Sequence, residues 1–111
     1  MNNSHTVYVT IGRNVGSEPM PLDQWNSFRA SAWRIVREYS KPIAGLFCDP
    51  IEFHSDISSY NGEVEESSIF VMFNSVAGAK MRERLAELSS VFGQDSIALV
   101  DGGLTEFISA N

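Results

Sequence analysis

The chain has 111 residues, of which 43% are hydrophobic and 11% aromatic, so we expect one compact domain over residues 1–111. Eight basic against fourteen acidic residues give a formal charge of −6, and this field opposes general binding to nucleic acids or anionic lipids. No apolar run is long enough for a membrane helix, and the polar start Met1–His5 does not resemble a signal peptide. We therefore expect a cytoplasmic protein, in which the single Cys48 is an inert small hydrophobe without a disulfide partner.

The first half of the chain predicts a strand, a loop and a helix. Apolar and polar residues alternate from His5 to Ile11, which predicts a strand. Two glycines, an Asn and a Pro over residues 12–19 predict a loop. Helical spacing then predicts a helix from Leu22 to Tyr39, which begins after Pro21 and ends before Lys41-Pro42. Its expected apolar stripe is Trp25, Phe28, Ala32, Ile35, Val36 and Tyr39.

The middle of the chain predicts two antiparallel strands. The segment from Ile43 to Ile57 is rich in Phe and Ile but contains Pro50, so it is expected to be an edge strand or a bulged strand. Asn61-Gly62 favours a tight reversal, and the apolar run within Val64–Phe73 predicts a central strand.

The last third predicts a second helix and a final strand. Asn74 or Ser75 is expected to cap a helix that Gly93 ends, with a stripe of Ala77, Met81, Leu85, Leu88 and Phe92. Gly78 is unfavourable in a helix, and we interpret it as a point of close packing rather than a ligand contact. The final strand runs from Ser96 to Ile108 and is interrupted by Asp101-Gly102-Gly103, which indicates a bulge or a short hairpin.

This order predicts an α+β, ferredoxin-like split βαβ fold (β-α-β-β-α-β), with two helices on one face of a four-stranded antiparallel sheet. The other face is expected to carry Phe70, Met72 and apolar residues of the final strands. A second subunit would cover it, which predicts a homodimer or a higher homo-oligomer. The alternative is that long charged side chains and the tail screen this face.

Three segments resemble known small proteins. Trp25 and the phrase from Phe92 to Val100 resemble small ferredoxin-like proteins of bacteria and their viruses, and the opening from Val7 to Asn14 resembles small open reading frames of actinobacterial viruses. The resemblance covers most of the chain through short, mainly structural motifs. It implies the ferredoxin-like fold and a role in binding, such as blocking a host protein or sequestering a host signal.

One candidate site is the loop after the first strand. Arg13 and Asn14 lie between glycines, just before a helix, where backbone N–H groups and a guanidinium can hold a phosphate or carboxylate. The spacing matches no phosphate-binding motif. The alternative is a plain turn, with Arg13 solvated or paired to an acid.

The second candidate site is a ladder on the first helix. Arg29, Trp33 and Arg37 recur at four-residue spacing beside the apolar stripe, and Trp33 is expected at the border between core and solvent. An indole between two guanidiniums can bind a flat anionic ligand or anchor a partner. Alternatively, Trp33 covers the sheet edge while the arginines shield it. We include Trp25 of the same helix among the candidate binding residues.

The segment from Pro42 to Ala79 contains six acids and no Lys or Arg, so it can attract a basic host protein or imitate a nucleic-acid backbone. Alternatively, it forms a solvated edge that discourages aggregation. Glu52, His54 and Asp56 alternate along one strand and can in principle ligate a divalent ion. Their spacing matches no metal motif, and we predict neither a metal site nor a cofactor.

Two functions are compatible with this reading. We favour a non-enzymatic binding protein, a phage-encoded counter-defence factor that sequesters an anionic, nucleotide-like signal molecule or blocks a host protein in the host cytoplasm. The alternative is a cofactor-free, dimeric, monooxygenase-like enzyme acting on a small molecule, in which Trp25, His54 and Asn74 orient the substrate. No acid–base pair is evident in the sequence, so no catalytic residue is assigned.

Overall fold

The computed structural model describes residues 5–40, 49–60, 62–75 and 77–109. These residues form a five-stranded antiparallel sheet, two helices and a short two-stranded ribbon. The elements are β1 (His5–Gly12), β2 (Asn14–Val15), β3 (Glu18–Pro19), α1 (Leu22–Tyr39), β4 (Ile51–Tyr60), β5 (Glu63–Ser75), α2 (Ala79–Val91), β6 (Ser96–Asp101) and β7 (Leu104–Ser109). The sheet order is β4-β5-β1-β6-β7, and β2 and β3 form the ribbon.

The fifth strand corrects the prediction of four. Asp101 pairs with Leu104 across a two-residue turn, in which Gly102 and Gly103 have φ values of +63° and +84°. Two successive positive φ values are typical of the type I′ turn, whose twist suits an antiparallel hairpin. The interruption is therefore a hairpin and not a bulge, and β7 extends the sheet beyond β6.

Helix α1 has the predicted bounds, from Leu22 to Tyr39. Five of the six predicted stripe residues are buried, and the sixth, Tyr39, is partly buried against the core. Burial of each large side chain in this stripe contributes roughly 1.5–3 kcal/mol. The periodic spacing predicts α1 well because its apolar residues all lie on one face.

Helix α2 begins later than predicted. Strand β5 continues to Ser75, so neither Asn74 nor Ser75 caps the helix, which begins at Ala79 with Gly78 in the N-cap position. A Cβ atom placed on Gly78 would meet no heavy atom of the described residues within 4 Å, so the predicted close packing is not found among them. The predicted stop is confirmed, because Gly93 adopts a φ of +67° just after the helix.

The middle strands confirm the predicted hairpin. Pro50 precedes β4, which lies at the sheet edge, and Tyr60 pairs with Glu63 around Gly62 at a φ of +80°. Strand β5 lies between β4 and β1, as expected for a central strand. The predictions for Lys41-Pro42, for Cys48 and for Asn61 lie outside the described residues.

Residues on alternate sides of the strands separate a core face from an open face. Both helices contact each other and share one buried cluster with the core face of the sheet. Phe70 pairs with Val9 and Met72 with Val7, and all four side chains are fully buried in that cluster. The prediction that Phe70 and Met72 lie on the open face is therefore wrong. A continuous apolar run such as Ile69–Phe73 contains no alternation that could assign its faces.

The open face, which we call the underside, is apolar because of other residues. It carries two rows of uncharged side chains across all five strands, namely Ile51, Val71, Tyr8, Val100 and Thr105, then Phe53, Ile69, Thr10, Ala98 and Phe107. Tyr8, Phe53 and Phe107 are 41%, 57% and 58% exposed. The predicted apolar underside is therefore present in the structure, but Phe70 and Met72 are not part of it.

Neither α1 nor α2 combines the length and the apolar character that crossing a membrane requires.

Candidate functional site

The candidate residues lie in two separate regions of the fold. The loop corner consists of Arg13, Asn14, His54, Glu65 and Glu66, where β1 ends beside β5. The α1 groove is a concavity along α1 and the β4 edge, lined by Asn26, Arg29, Ala30, Trp33, Arg34 and Glu52.

In the loop corner, Arg13 is held by the chain itself. Its Nη1 donates to Glu66 Oε1 at 2.6 Å and its Nε donates to the Met20 carbonyl at 2.8 Å. Its backbone N–H donates to the Glu66 carbonyl at 2.9 Å. Of the two sequence interpretations, this geometry is that of a turn with Arg13 paired to an acid.

Asn14 and Glu65 complete the same internal arrangement. The Asn14 backbone N–H, which could have bound an external anion, donates to Glu65 Oε2 at 2.7 Å. Burial raises the pKa of the Glu65 carboxyl above its ordinary value of 4.5, and the hydrogen bond from Asn14 partly opposes this shift. The carboxylate lies over Gly12, where a Cβ atom would approach Glu65 Oε1 to 2.3 Å. Glycine at position 12 therefore makes room for this carboxylate.

His54 connects the loop corner to helix α1. Its Nδ1 lies 3.3 Å from Ser68 Oγ, and its Nε2 lies 3.1 Å from Asp56 Oδ1 and 3.4 Å from Glu66 Oε2. On the other side, its ring is 6.4 Å from the Trp25 ring, centroid to centroid, at a tilt of 47°. Glu52 was considered together with His54 and Asp56 as a possible metal ligand, but it pairs with Arg29 instead.

Trp25 belongs to the core rather than to an accessible surface. Its side chain is 1% exposed, and its Nε1 has no hydrogen-bond partner among the described residues. Phe28 packs edge-on against it, with 6.0 Å between ring centroids. Trp25 therefore supports the site from beneath, and a ligand at the surface would not touch it.

The predicted ladder on α1 forms in part. The Arg37 guanidinium lies 5.5 Å from the centroid of the Trp33 ring and pairs with Asp49 at 3.0 Å. Arg29 instead lies 5.9 Å from the Trp25 ring and donates to Glu52 Oε2 at 2.7 Å. Trp33 is half-buried at the edge of the core, as predicted, and it has one stacked guanidinium rather than an arginine on each side.

The α1 groove is large enough for a small molecule. Its volume of about 590 Å³ lies within the usual range for ligand pockets, but it is a shallow groove that is widely open to solvent. Arg34 lines it and forms no ion pair with any described residue, so its guanidinium can meet an anionic group. Arg34 was not among the binding residues predicted from the sequence. The signal was present, because Asn26, Ala30 and Arg34 recur at four-residue spacing next to the predicted ladder.

Comparison with known proteins identifies a structural relative but no family. No protein-family model matches the chain, and no curated protein is significantly similar to it. A solved structure of a phage SAM lyase in complex with S-methyl-5'-thioadenosine is similar to it with a TM-score of 0.53. The two chains are 15% identical, and the similarity covers 99% of this chain and 92% of that chain. At this identity the comparison shows that the chain shares the fold of a phage protein.

Proposed function

We propose that the protein is a phage-encoded, small-molecule-binding protein that holds a nucleoside-bearing ligand in the α1 groove. The observation that carries this proposal is a half-buried Trp33 beside Arg34, whose guanidinium forms no ion pair with a described residue, in a concavity of suitable size. The shared fold supports it, since the phage SAM lyase was solved with a nucleoside thioether bound.

The residues of the groove suit the two ends of such a ligand. The Trp33 indole offers an apolar ring on which a purine can stack, and base–aromatic stacking contributes about 1–3 kcal/mol. Arg34 offers a planar fork of donors for a carboxylate or phosphate. Arg29 is already engaged by Glu52, so its contribution is to fix one wall of the groove. These features favour a nucleoside with an attached anionic group, such as S-adenosylmethionine with its carboxylate, over the uncharged S-methyl-5'-thioadenosine.

Stoichiometric capture requires no shifted pKa at the groove and no acid–base pair. A virus that produces the protein above the dissociation constant of the complex would lower the free concentration of the ligand in the host cytoplasm. Host enzymes or defence systems that depend on this molecule would then be deprived of it. This is the counter-defence role that the sequence resemblance implied.

A second candidate function is catalysis on the same class of ligand. The observation in its favour is Glu65, a partly buried carboxyl whose pKa burial raises, as is common for groups that exchange protons in active sites. Glu65 lies in the loop corner and does not line the α1 groove, so catalysis would require the ligand to reach the loop corner. The earlier enzyme hypothesis relied on Trp25, His54 and Asn74. Trp25 is buried, His54 lies in the loop corner, and the Asn74 side chain lies outside the described residues.

Isothermal titration of the full chain with S-adenosylmethionine, S-methyl-5'-thioadenosine and AMP tests the proposal, with mass spectrometry of the ligand afterwards. We expect one ligand bound per chain, recovered with its mass unchanged. If none of the three binds at millimolar concentration, the proposal is wrong. Conversion of the ligand by substoichiometric protein would establish the second candidate in its place.

We further propose that a second copy of the chain covers the underside. The chain carries a charge of −6, yet the two rows of the underside are uncharged, so two copies can meet there without opposing like charges. Light scattering after size exclusion should show a dimer or larger oligomer, and Phe107→Glu should shift it toward monomer. Val91→Glu is the matched control, because Val91 is 76% exposed on α2 and lies outside the underside. A wild-type monomer would contradict this proposal.

A further inference from the structure

The small-molecule proposal does not use the cluster that His54 and Glu66 of the loop corner form with the neighbouring Asp56. We propose that His54, Asp56 and Glu66 form a binding site for a divalent transition-metal ion, with Zn²⁺ as the best match. His54 and Asp56 project from β4, and Glu66 projects from the adjacent strand β5. One nitrogen and two carboxylate oxygens of these residues lie within 4.8 Å of one another.

Two of the three distances between these donor atoms are close to those of a zinc site. Zn²⁺ binds His nitrogen and carboxylate oxygen at about 2.0–2.2 Å in a tetrahedral arrangement, so neighbouring ligand atoms lie about 3.3–3.6 Å apart. His54 Nε2 lies 3.4 Å from Glu66 Oε2 and 3.1 Å from Asp56 Oδ1. The Asp56 and Glu66 oxygens lie within 4.8 Å of each other, so an ion would draw them together by up to about 1 Å. The side chain of Asp56 is 83% exposed and can make this movement, and its exposed side leaves room for water as the fourth ligand.

Two neighbouring residues orient the ligands from behind. Ser68, which is fully buried, contacts His54 Nδ1 through its hydroxyl at 3.3 Å and leaves Nε2 facing the two carboxylates. Arg13 donates to the outer oxygen of Glu66, Oε1, and leaves Oε2 facing His54. Partners of this kind fix the ring and the carboxylate in metal sites and are typically worth 10–100-fold in metal affinity.

The donor set discriminates between metals. Imidazole suits Zn²⁺ and other late transition metals, whereas Mg²⁺ requires oxygen ligands in near-ideal octahedral geometry. The two carboxylates provide two negative charges, one of which already faces the Arg13 guanidinium, so the site still attracts a divalent cation. Without an ion, His54 contacts the same two acids directly, and the experiment separates these two interpretations.

Titration of the full chain, without an affinity tag, with ZnCl₂ and with MgCl₂ at pH 7.5 separates them. We expect one Zn²⁺ per chain and no measurable Mg²⁺ binding, together with a rise in melting temperature on adding Zn²⁺. Asp56→Asn should weaken Zn²⁺ binding at least tenfold and remove the thermal shift. Its side chain is 83% exposed, so the variant should fold normally.

Two further variants complete the test. His54→Ala should abolish Zn²⁺ binding, whereas His5→Ala, which removes the second histidine of the chain, should leave it unchanged. Wild-type Zn²⁺ affinity in Asp56→Asn and His54→Ala, or no binding by the wild-type protein, would refute the site. Loss of binding in His5→Ala would likewise refute it, since the ion would then lie elsewhere.

Discussion

The loop corner and the α1 groove are both arginine-containing regions, but they use their arginines differently. Arg13 in the loop corner is held by a backbone carbonyl and by the side chain of Glu66. Arg34 in the α1 groove has no such partner among the described residues. The contrast shows that an arginine in a glycine-containing loop can be part of the scaffold, whereas an arginine on a regular helix can remain available for binding. A ligand is therefore expected at the groove.

The strongest test of this contrast is Trp33→Ala. Removing the indole should weaken binding of S-adenosylmethionine about thirtyfold or more, because an aromatic hot spot is worth at least about 2 kcal/mol. The melting temperature should stay within a few degrees, since Trp33 lies at the border of the core. Titration calorimetry and thermal denaturation measure the two effects. Wild-type affinity for S-adenosylmethionine in this variant would show that Trp33 has only a structural role.

Arg13→Met tests the scaffolding role of the loop corner. The substitution removes the charge-assisted hydrogen bond to Glu66 and the bond to the Met20 carbonyl, and it leaves both acceptors partly desolvated. We expect a loss of about 1–2 kcal/mol in the free energy of unfolding, measured by urea denaturation. Ligand affinity should be unchanged when measured below the transition. If this variant bound the ligand more weakly but kept its stability, Arg13 would be a ligand-binding residue and not part of the scaffold.

Arg34→Gln is the matched substitution in the groove. We expect the free energy of unfolding to change by less than about 0.5 kcal/mol, because Arg34 is exposed and has no ion pair within the part of the chain that the structure describes. Affinity for S-adenosylmethionine should fall about tenfold, whereas affinity for S-methyl-5'-thioadenosine should hardly change, since it has no carboxylate. Equal effects on both ligands would indicate that Arg34 does not read the anionic group.

The smallest effect concerns Glu65 and pH. Because burial raises the pKa of Glu65 in the folded protein, the folded state binds the proton more tightly than the unfolded state. Its contribution to stability is therefore largest below the ordinary value of 4.5 and declines as pH rises through the raised pKa. Glu65→Gln should remove this decline, visible as the difference between the two stability profiles from pH 4 to 7. Parallel profiles would show that Glu65 titrates normally.

The sequence predicted the elements whose evidence is local. Helix α1 was placed to the residue because its stripe, its proline entrance and its exit all lie within one segment. The same reasoning failed where a local helix signal competed with strand pairing. Asn74-Ser75 is a good helix cap, but strand β5 extends through it because its pairing with β1 continues that far.

The partners in the loop corner could not have been predicted in the same way. Arg13 and Glu66 are 53 positions apart, and only the pairing register of β1 with β5 brings them together. His54 illustrates the same limit, because its second acidic neighbour comes from the next strand rather than from its own. By contrast, Arg34 could have been found, since its four-residue spacing from Ala30 and Asn26 places it on the helix face next to the ladder.

The arrangement of Gly12 beneath Glu65 has a consequence for recognising distant relatives. A side chain at position 12 would force this carboxylate away from Asn14. Because the carboxylate ends a flexible side chain, a relative without the glycine can keep the acid, but it loses the hydrogen bond to the backbone at position 14. A glycine and an acid at these two positions together are therefore the feature to look for in relatives as different as the phage lyase, which is 15% identical.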